Sequence, residues 1–303
     1  MVLAPVITSR QNDAVKRARA LARGKDVAES GLMLVEGLRL IEESIVDGIR
    51  YNQVLVSPHL EGTERGAALR ENLMRSGNPV LDATDDVLAS ISDVAGDQGV
   101  AGLAYKRTWK LDDLFPARVN TRFAPTEGRA SIASVPLVAV AWGVQDPGNL
   151  GTIIRAADAA GATGVITAGN SACPYNPKCI RGTMGSIFRL PLLDAAVAAT
   201  ARAGDSASHE SPVKILKELV HRGVTLVATS LTAETRHTDV NLTGPVAIIL
   251  GGEGAGVPEA VISQCAVTLR IPIKRDVESL NVACAAAIIF YEAARQRGFA
   301  GLV

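Results

Sequence analysis

Aromatic residues are scarce in this chain, and net charge is absent. Phe, Trp and Tyr make up 4% of its 303 residues, too few for the base-stacking platform of an RRM-type RNA binder. Lys and Arg balance Asp and Glu at 31 each, which argues against a uniformly basic nucleic-acid surface. The four cysteines, Cys173, Cys179, Cys265 and Cys284, include no C-x-x-C pair. Cys173 and Cys179 stand in a Pro/Asn-rich stretch with no histidine close by, so zinc is not expected. Cys284 sits in an apolar helical pattern and reads as a small core residue. There is no carboxylate cluster for magnesium either, so no metal is expected. The apolar runs at 137–142 and 282–291 fall short of the ~20 residues that span a bilayer, and residues 1–12 lack a charged-then-apolar signal pattern. Reduced thiols and the missing membrane signals read as a cytoplasmic protein without a membrane partner. The phosphate fingerprints G-x-G-x-x-G and G-x-x-x-x-G-K-[ST] are missing too.

What is present reads as two domains, each long enough for its own core. Residues 1–108 mix helical and strand signals: a basic amphipathic helix, a helix over 36–46, a strand over 53–56, a helix over 64–75, Val80-Leu81, and a closing strand over 100–104. Residues 109–134 hold Pro116, Pro125 and Gly128 without periodicity and read as a linker. From 135 to 303 strands alternate with helices, which predicts an α/β fold with a mostly parallel sheet. Its strands are expected at 137–142, 165–167, 190–192, 225–229, 246–250 and 267–271. Its helices are expected from Asn149, near 180–188, and over 212–222, 258–265 and 279–297. Residues 200–211, small and polar, read as a surface loop. One stretch breaks the charge balance: Arg10, Lys16, Arg17, Arg19, Arg23 and Lys25 face only Asp13. That is either a solvated basic helix face or a set of RNA phosphate contacts.

The motifs with chemical content lie in the second domain. After the strand at 137–142 comes Gln145-Asp146-Pro147-Gly148-Asn149-Leu150-Gly151-Thr152-Ile153-Ile154-Arg155. Asn149 reads as an N-cap, Gly161 as the C-terminal glycine, and Leu150, Ile153, Ile154 and Ala157 repeat at helical spacing. Thr152 and Arg155 share the other face near a strand's carboxyl end, where open α/β sheets bind ligands. Further on, a strand runs into Gly251-Gly252-Glu253-Gly254-Ala255-Gly256, a second into Ile271-Pro272-Ile273, and a helix begins near Glu278-Ser279-Leu280-Asn281-Val282. A glycine loop, an apolar slot and a polar helix start make a pocket for a small ligand with a few polar handles. Glu253 would repel a pyrophosphate, so a cationic adenosine derivative suits the loop better than a nucleotide phosphate.

Asn149-x-Gly151-x-x-x-Arg155, Gly251-Gly252-Glu253-Gly254-x-Gly256, and Ile271-Pro272-Ile273 with Ser279-Leu280-Asn281-Val282 and Tyr291-Glu292 together resemble the SpoU/TrmH family. These are SPOUT-class RNA ribose 2′-O-methyltransferases, and the likeness covers roughly residues 136–297. Ile7-Thr8-Ser9-x-x-Asn12-x-x-Val15-Lys16, Leu34-Val35-Glu36-Gly37 and Asp97-Gln98-Gly99-Val100 resemble the small α/β substrate-binding domain, similar to a ribosomal RNA-binding protein, that many members carry. The resemblance implies S-adenosylmethionine as cofactor, a carboxyl-terminal trefoil knot, a homodimer through the catalytic domain, and RNA as substrate, ribosomal ahead of transfer RNA. Arg155 would serve the ribose and its developing oxyanion, with Asn149, Ser279 and Asn281 orienting it and Glu253 holding polar groups of the site. Thr229, Ser230 and Leu231 would line the adenosine end, and Gly251, Ile271 and Leu280 would offer backbone contacts to adenine. Gly252, Glu253, Gly254 and Ile273 would surround them. Lys178-x-x-Arg181-Gly182-Thr183-Met184-Gly185 also resembles a family stretch, with Thr183 where serine is common.

Each residue has a plainer reading. Asn149 and Ser279 could be simple caps, Asn281 a polar helix residue, and Ile271 and Leu280 core. Two other functions compete. A dehydrogenase would need the missing phosphate fingerprint after the first strand, and a non-catalytic RNA-binding or ribosome-assembly protein would not need Asn149, Arg155, Glu253, Ser279 and Asn281 together.

Overall fold

The computed structural model describes residues 6–25, 30–91, 99–115, 135–196 and 211–302. The expected loop at 200–211 falls outside these residues but for Ser211, as do Asp97, Gln98 and 116–134 of the expected linker. The linker's first part is not structureless, since Leu111–Leu114 form a 3-10 helix that buries Leu114 against the parallel sheet. Along the chain run α1 (Asp13–Ala22), β1 (Leu32–Glu36), α2 (Leu38–Val46), β2 (Tyr51–Val56), α3 (Pro58–Glu61), α4 (Glu64–Arg75), β3 (Val80–Asp82), α5 (Asp85–Ala89) and β4 (Val100–Tyr105). There follow β5 (Leu137–Trp142), α6 (Pro147–Ala159), β6 (Gly164–Gly169), α7 (Pro177–Thr183), β7 (Leu192–Ala196), α8 (Pro212–His221) and β8 (Thr225–Thr229). The last elements are β9 (Val246–Gly251), α9 (Glu259–Ile262), β10 (Val267–Leu269) and α10 (Val282–Gln296).

These elements form two compact units, Met1–Thr108 with Tyr175–Arg189, and Trp109–Pro174 with Leu190–Val303. In the first, four strands lie in the order β1-β4-β2-β3, antiparallel except for β2 with β3. Alternation sorts β1 cleanly between two cores. Met33 and Val35 pack with Ile41, Leu69, Leu73, Ile180, Ile187 and Phe188 on one face. Leu32 and Leu34 pack with Val15, Ala18 and Leu21 of α1 on the other. With both faces covered, β1 reads as an unbroken apolar run, and periodicity alone did not mark it as a strand. The segment Tyr175–Arg189 is therefore part of this unit's core although it interrupts the sequence of the other. An ion pair from Arg181 to Glu36 at 2.9 Å also ties it there. Thr183 is fully buried and donates its hydroxyl to the Ile180 carbonyl at 2.7 Å.

The second unit is one six-stranded parallel sheet in the order β10-β8-β9-β5-β6-β7. Successive strands step outward from β5 through β6 to β7, and the rest lie on its other side. The order thus reverses between β5 and β9, the place where open sheets leave a crevice at their carboxyl ends. Trp142 stands beside Gly251 in that register.

Three helix starts differ from expectation: the helix expected over 36–46 begins at Leu38, after Glu36 ends β1, and two differences bear on the site. α6 begins at Pro147, and Asp146, not Asn149, caps it by accepting from the Asn149 backbone N–H at 2.9 Å. Proline at the first helical position presets the turn, so the cap falls one residue before it. α10 begins at Val282, not Ser279, because the Asn281 side chain caps it, accepting from the Ala283 and Cys284 N–H groups at 2.9 and 3.3 Å. The expected helix at 258–265 shrinks to Glu259–Ile262, and the strand expected at 190–192 lies at Leu192–Ala196. The far end of α10 is held by Arg297, whose guanidinium donates to the carbonyls of Leu242, Val135, Pro136 and Gly244.

Candidate active site

At the carboxyl end of β9 the chain needs glycine for space and for φ. A Cβ on Gly251 would lie 2.3 Å from the Gly256 carbonyl carbon, and one on Gly252 would lie 1.9 Å from the Gly143 oxygen. Gly254 and Gly256 adopt φ of +85° and +64°, which side chains resist. Backbone bonds pin the loop: the Gly252 N–H donates to Trp142 at 2.8 Å, and Gly256 returns to Gly252 at 3.1 Å.

Beside this loop lies a cavity of about 510 Å³. Every residue nominated from the sequence for the cofactor lines it. Thr229, Ser230 and Leu231 come from the end of β8, and Gly251, Gly252, Glu253 and Gly254 from the glycine loop. Ile271 and Ile273 follow β10, and Leu280 precedes α10. Leu250, Val257 and Leu269, all buried, are part of its lining. Sequence reasoning missed Thr232, Arg270, Ala285 and Ile289. Ala285 and Ile289 carry a signal, the i, i+4 spacing on α10, but that spacing alone does not separate a cavity wall from a packed or pairing face. In the structure Val282, Ala286, Ile289 and Ala293 are buried within the unit; Cys284, Ile288 and Tyr291 remain exposed.

Three motifs distant in sequence meet at the edge of this cavity. The Asn149 amide N–H donates to the Glu253 carboxylate at 2.7 Å, and the Asn281 amide N–H donates to the Asn149 oxygen at 2.9 Å. The Asn281 oxygen is committed to capping α10, so its amide must point its N–H groups outward. That polarity runs through Asn149 to Glu253 without a choice of rotamer at any step. Ser279 lines the cavity and is exposed. Arg155 does not line it. It is exposed on α6 and, among the described residues, its side chain makes no hydrogen bond or ion pair.

Behind the site, Glu292 of α10 is buried and accepts two bonds from Arg295 and one from Gln296, all at 2.8 Å. The Arg295 guanidinium holds its carboxyl well down, to about 2. Gln296 in turn binds the Val240 carbonyl and the Leu242 N–H. Burial pushes the Cys265 thiol up to about 11, which leaves it protonated and inert. The basic residues nominated for RNA lie on and around α1 in the other unit. Arg10, Lys16, Arg17, Arg23 and Lys25 are exposed, and Arg19 is half-buried.

Residues 136–291 match the SpoU rRNA Methylase family, and residues 12–102 match the MRM3-like substrate binding domain. The chain belongs to the SpoU rRNA methylase family. It is similar to a 23S rRNA guanosine 2′-O-methyltransferase of Xylella fastidiosa, 31% identical over 87% of this chain and 96% of that protein. It is also similar to a 23S rRNA guanosine 2′-O-methyltransferase of Bacillus subtilis, 27% identical over 94% of this chain and 97% of that one. Among solved structures, an AdoMet-bound rRNA methyltransferase from Sinorhizobium meliloti superposes with a TM-score of 0.76 at 29% identity, covering 96% and 97% of the two chains. This SpoU member is therefore an S-adenosylmethionine-dependent methyltransferase. Its cavity fits that cofactor in size, being within the roughly 300–1,000 Å³ of small-ligand sites. It fits in chemistry too: an apolar lining suits an adenine, and Glu253 and Glu278 on its wall suit a sulfonium cation.

Proposed function

We propose that this SpoU enzyme methylates a ribose 2′-hydroxyl of ribosomal RNA, with Arg155 serving the reacting oxygen and the glycine-loop cavity holding S-adenosylmethionine. The hydrogen-bond chain Asn281–Asn149–Glu253 carries the reading, because it ties all three sequence motifs to one cavity edge. The names of the relatives support ribosomal RNA over transfer RNA.

When bound, the cofactor supplies an electrophilic methyl group on a cationic sulfur. The residues around it have three tasks. Gly251, Ile271 and Leu280 offer backbone groups to the adenine, and Thr229, Ser230 and Leu231 lie along the adenosine end. Glu253, oriented by Asn149, lends negative charge to a site that receives a cation. Arg155 grips an RNA phosphate and the oxygen as it gains charge. A guanidinium with pKa above ~12 is a poor base, so the hydroxyl proton leaves to phosphate or water while Arg155 stabilises the oxyanion. Positioning of the ribose by Arg155 against a cofactor held in the cavity would add several kcal/mol, roughly the gain of proximity and orientation.

The same reading carries three wider proposals. The carboxyl-terminal segment is threaded as a trefoil knot, supported by the way Gln296 and Arg297 lodge the end of α10 against the backbone of residues 240–244. Two copies pair through the exposed Cys284, Ile288 and Tyr291 face of α10. The enzyme works in the cytoplasm on RNA recognised by its amino-terminal unit, and it needs no divalent ion, because its electrophile is already cationic. The deciding experiment incubates purified protein with labelled S-adenosylmethionine and protein-free large-subunit ribosomal RNA, then maps ribose methylation by mass spectrometry. Label in a base, or none in ribose, would refute the assignment.

A further inference from the structure

The arginines of the catalytic unit divide into two groups. Among its described residues, Arg222 binds Glu218 and Asp112, Arg295 binds Glu292, and Arg297 binds backbone carbonyls. Arg155, Arg236, Arg270 and Arg275 are exposed and make no side-chain hydrogen bond or ion pair among the described residues. Arg155 already has a task. Two of the others are held side by side by the backbone. Arg236 and Arg270 form an isolated parallel bridge, with the Arg270 N–H donating to Thr235 at 2.9 Å and the His237 N–H donating to Arg270 at 2.8 Å. Residues paired across such a bridge stand roughly 5 Å apart and project to the same side. Arg270 also lines the cavity, between Leu269 and Ile271.

Two like charges fixed in that register repel one another. Acids lie close in sequence or in cavity wall, Glu234, Glu259 and Glu278, yet none forms an ion pair with either arginine in the structure. A paired, uncompensated guanidinium set at the lip of a methyl-transfer cavity suits an oxyanion bridging both forks. We propose that Arg236 and Arg270 bind a backbone phosphodiester of the RNA flanking the methylated ribose. This deepens the RNA methyltransferase reading above and rests on it. The catalytic unit then grips its substrate at two places, through Arg155 at the reacting nucleotide and through this pair beyond the cofactor, independently of the amino-terminal unit.

The test is RNA affinity as a function of salt, measured by fluorescence anisotropy with the full chain and protein-free large-subunit ribosomal RNA fragments. Each lost phosphate contact on a single strand lowers the log–log salt slope by about 0.7. Because the pair clamps one phosphodiester, Arg236→Ala with Arg270→Ala should flatten it by about 0.7, and Arg236→Ala alone by less. Arg236→Lys should keep the slope, since a point charge still displaces a counterion. Cofactor affinity of Arg236→Ala, measured by calorimetry without RNA, should match wild type. An unchanged slope in the double variant overturns the proposal, as does a lysine variant that behaves like alanine. Cofactor affinity lost in Arg236→Ala would assign the pair to the carboxylate of S-adenosylmethionine instead. Labelled methyl transfer by wild type on the same RNA reports separately on the enzyme assignment, so the two readings fail in different measurements.

Discussion

Asparagine suits the centre of this site because it both donates and accepts. Asn149 gives its N–H to Glu253 and takes one from Asn281, and no charged or apolar residue of its size does both. Asn149→Asp should place a carboxylate where Glu253 now receives a hydrogen bond, weakening cofactor binding and methyl transfer together. Arg155→Ala should behave differently. It should lower the turnover by at least about 100-fold, the usual cost of a lost transition-state donor, while the cofactor dissociation constant stays within a few-fold. Arg155→Lys should fail as well, since a compact ammonium does not reproduce a planar fork. Single-turnover kinetics beside calorimetry separate these outcomes, and near wild-type turnover in either Arg155 variant sinks its role. At this scale the sequence spoke through types and spacing: the second and third motifs named much of the cavity wall, and the first supplied Asn149 at its edge. It was silent on which asparagine caps which helix, because Asp146 and Asn149, like Ser279 and Asn281, are all competent caps. The choice falls to Pro147 and to the bonds made across the site.

At the scale of elements, the glycine loop and α10 make the cavity what it is. Gly252→Ala would drive a methyl into the Gly143 carbonyl, a backbone atom that cannot step aside. The expected cost is about 1–3 kcal/mol of overpacking, visible as a lower melting temperature, with cofactor affinity lost alongside. A fully stable, cofactor-binding Gly252→Ala would show that the close approach is dispensable. Glu292 gives α10 a pH dependence. Its folded pKa, about 2, lies below the usual 4.5, so its stabilising effect is complete above the unfolded value and fades as pH falls from about 4.5 towards 2. Melting temperature should drop across that window in wild type and drop less in Glu292→Gln. Equal acid sensitivity in both would show that the Arg295 and Gln296 bonds do not hold the carboxylate. Strand and helix alternation in this unit was legible because parallel strands buried on both faces read as short apolar runs between helical periods. β1 escaped for the same reason in a different setting: its short apolar run between Ser30-Gly31 and Gly37 lies directly beside a helix start, and without alternation it does not stand out as a strand.

For the molecule as a whole, neutral net charge hides a sorted surface. If the α1 region contacts RNA phosphates, replacing the exposed Arg17, Arg23 and Lys25 with alanine should flatten the salt slope of RNA binding by about 2, with labelled methyl transfer to a saturating oligonucleotide less affected than transfer to large-subunit ribosomal RNA. An unaltered slope would return that run to the plain reading of a solvated helix face. Sedimentation velocity of the intact protein tests pairing: a dimer that Ile288→Glu converts to monomer is the expected result, and a wild-type monomer refutes it. The face proposed for pairing could not be read from the sequence because α10 is apolar around most of its circumference. Only packing separates Val282, Ala286 and Ile289, which the unit consumes itself, from Ile288 and Tyr291, which it leaves bare.

The detour of residues 175–189 into the amino-terminal unit has an engineering corollary. Domain grafting assumes that a module occupies one stretch of chain, but here each compact unit is discontinuous or interrupted. A fragment ending at Thr108 would lack Ile180, Ile187 and Phe188 from its core and expose Met33, Val35 and Ile41 in exchange; a fragment beginning at Val135 would carry those three apolar side chains with nothing to receive them. Swapping target recognition between members of this family at a single junction should therefore yield insoluble hybrids. A chimera that exchanges residues 175–189 along with the amino-terminal stretch should remain soluble.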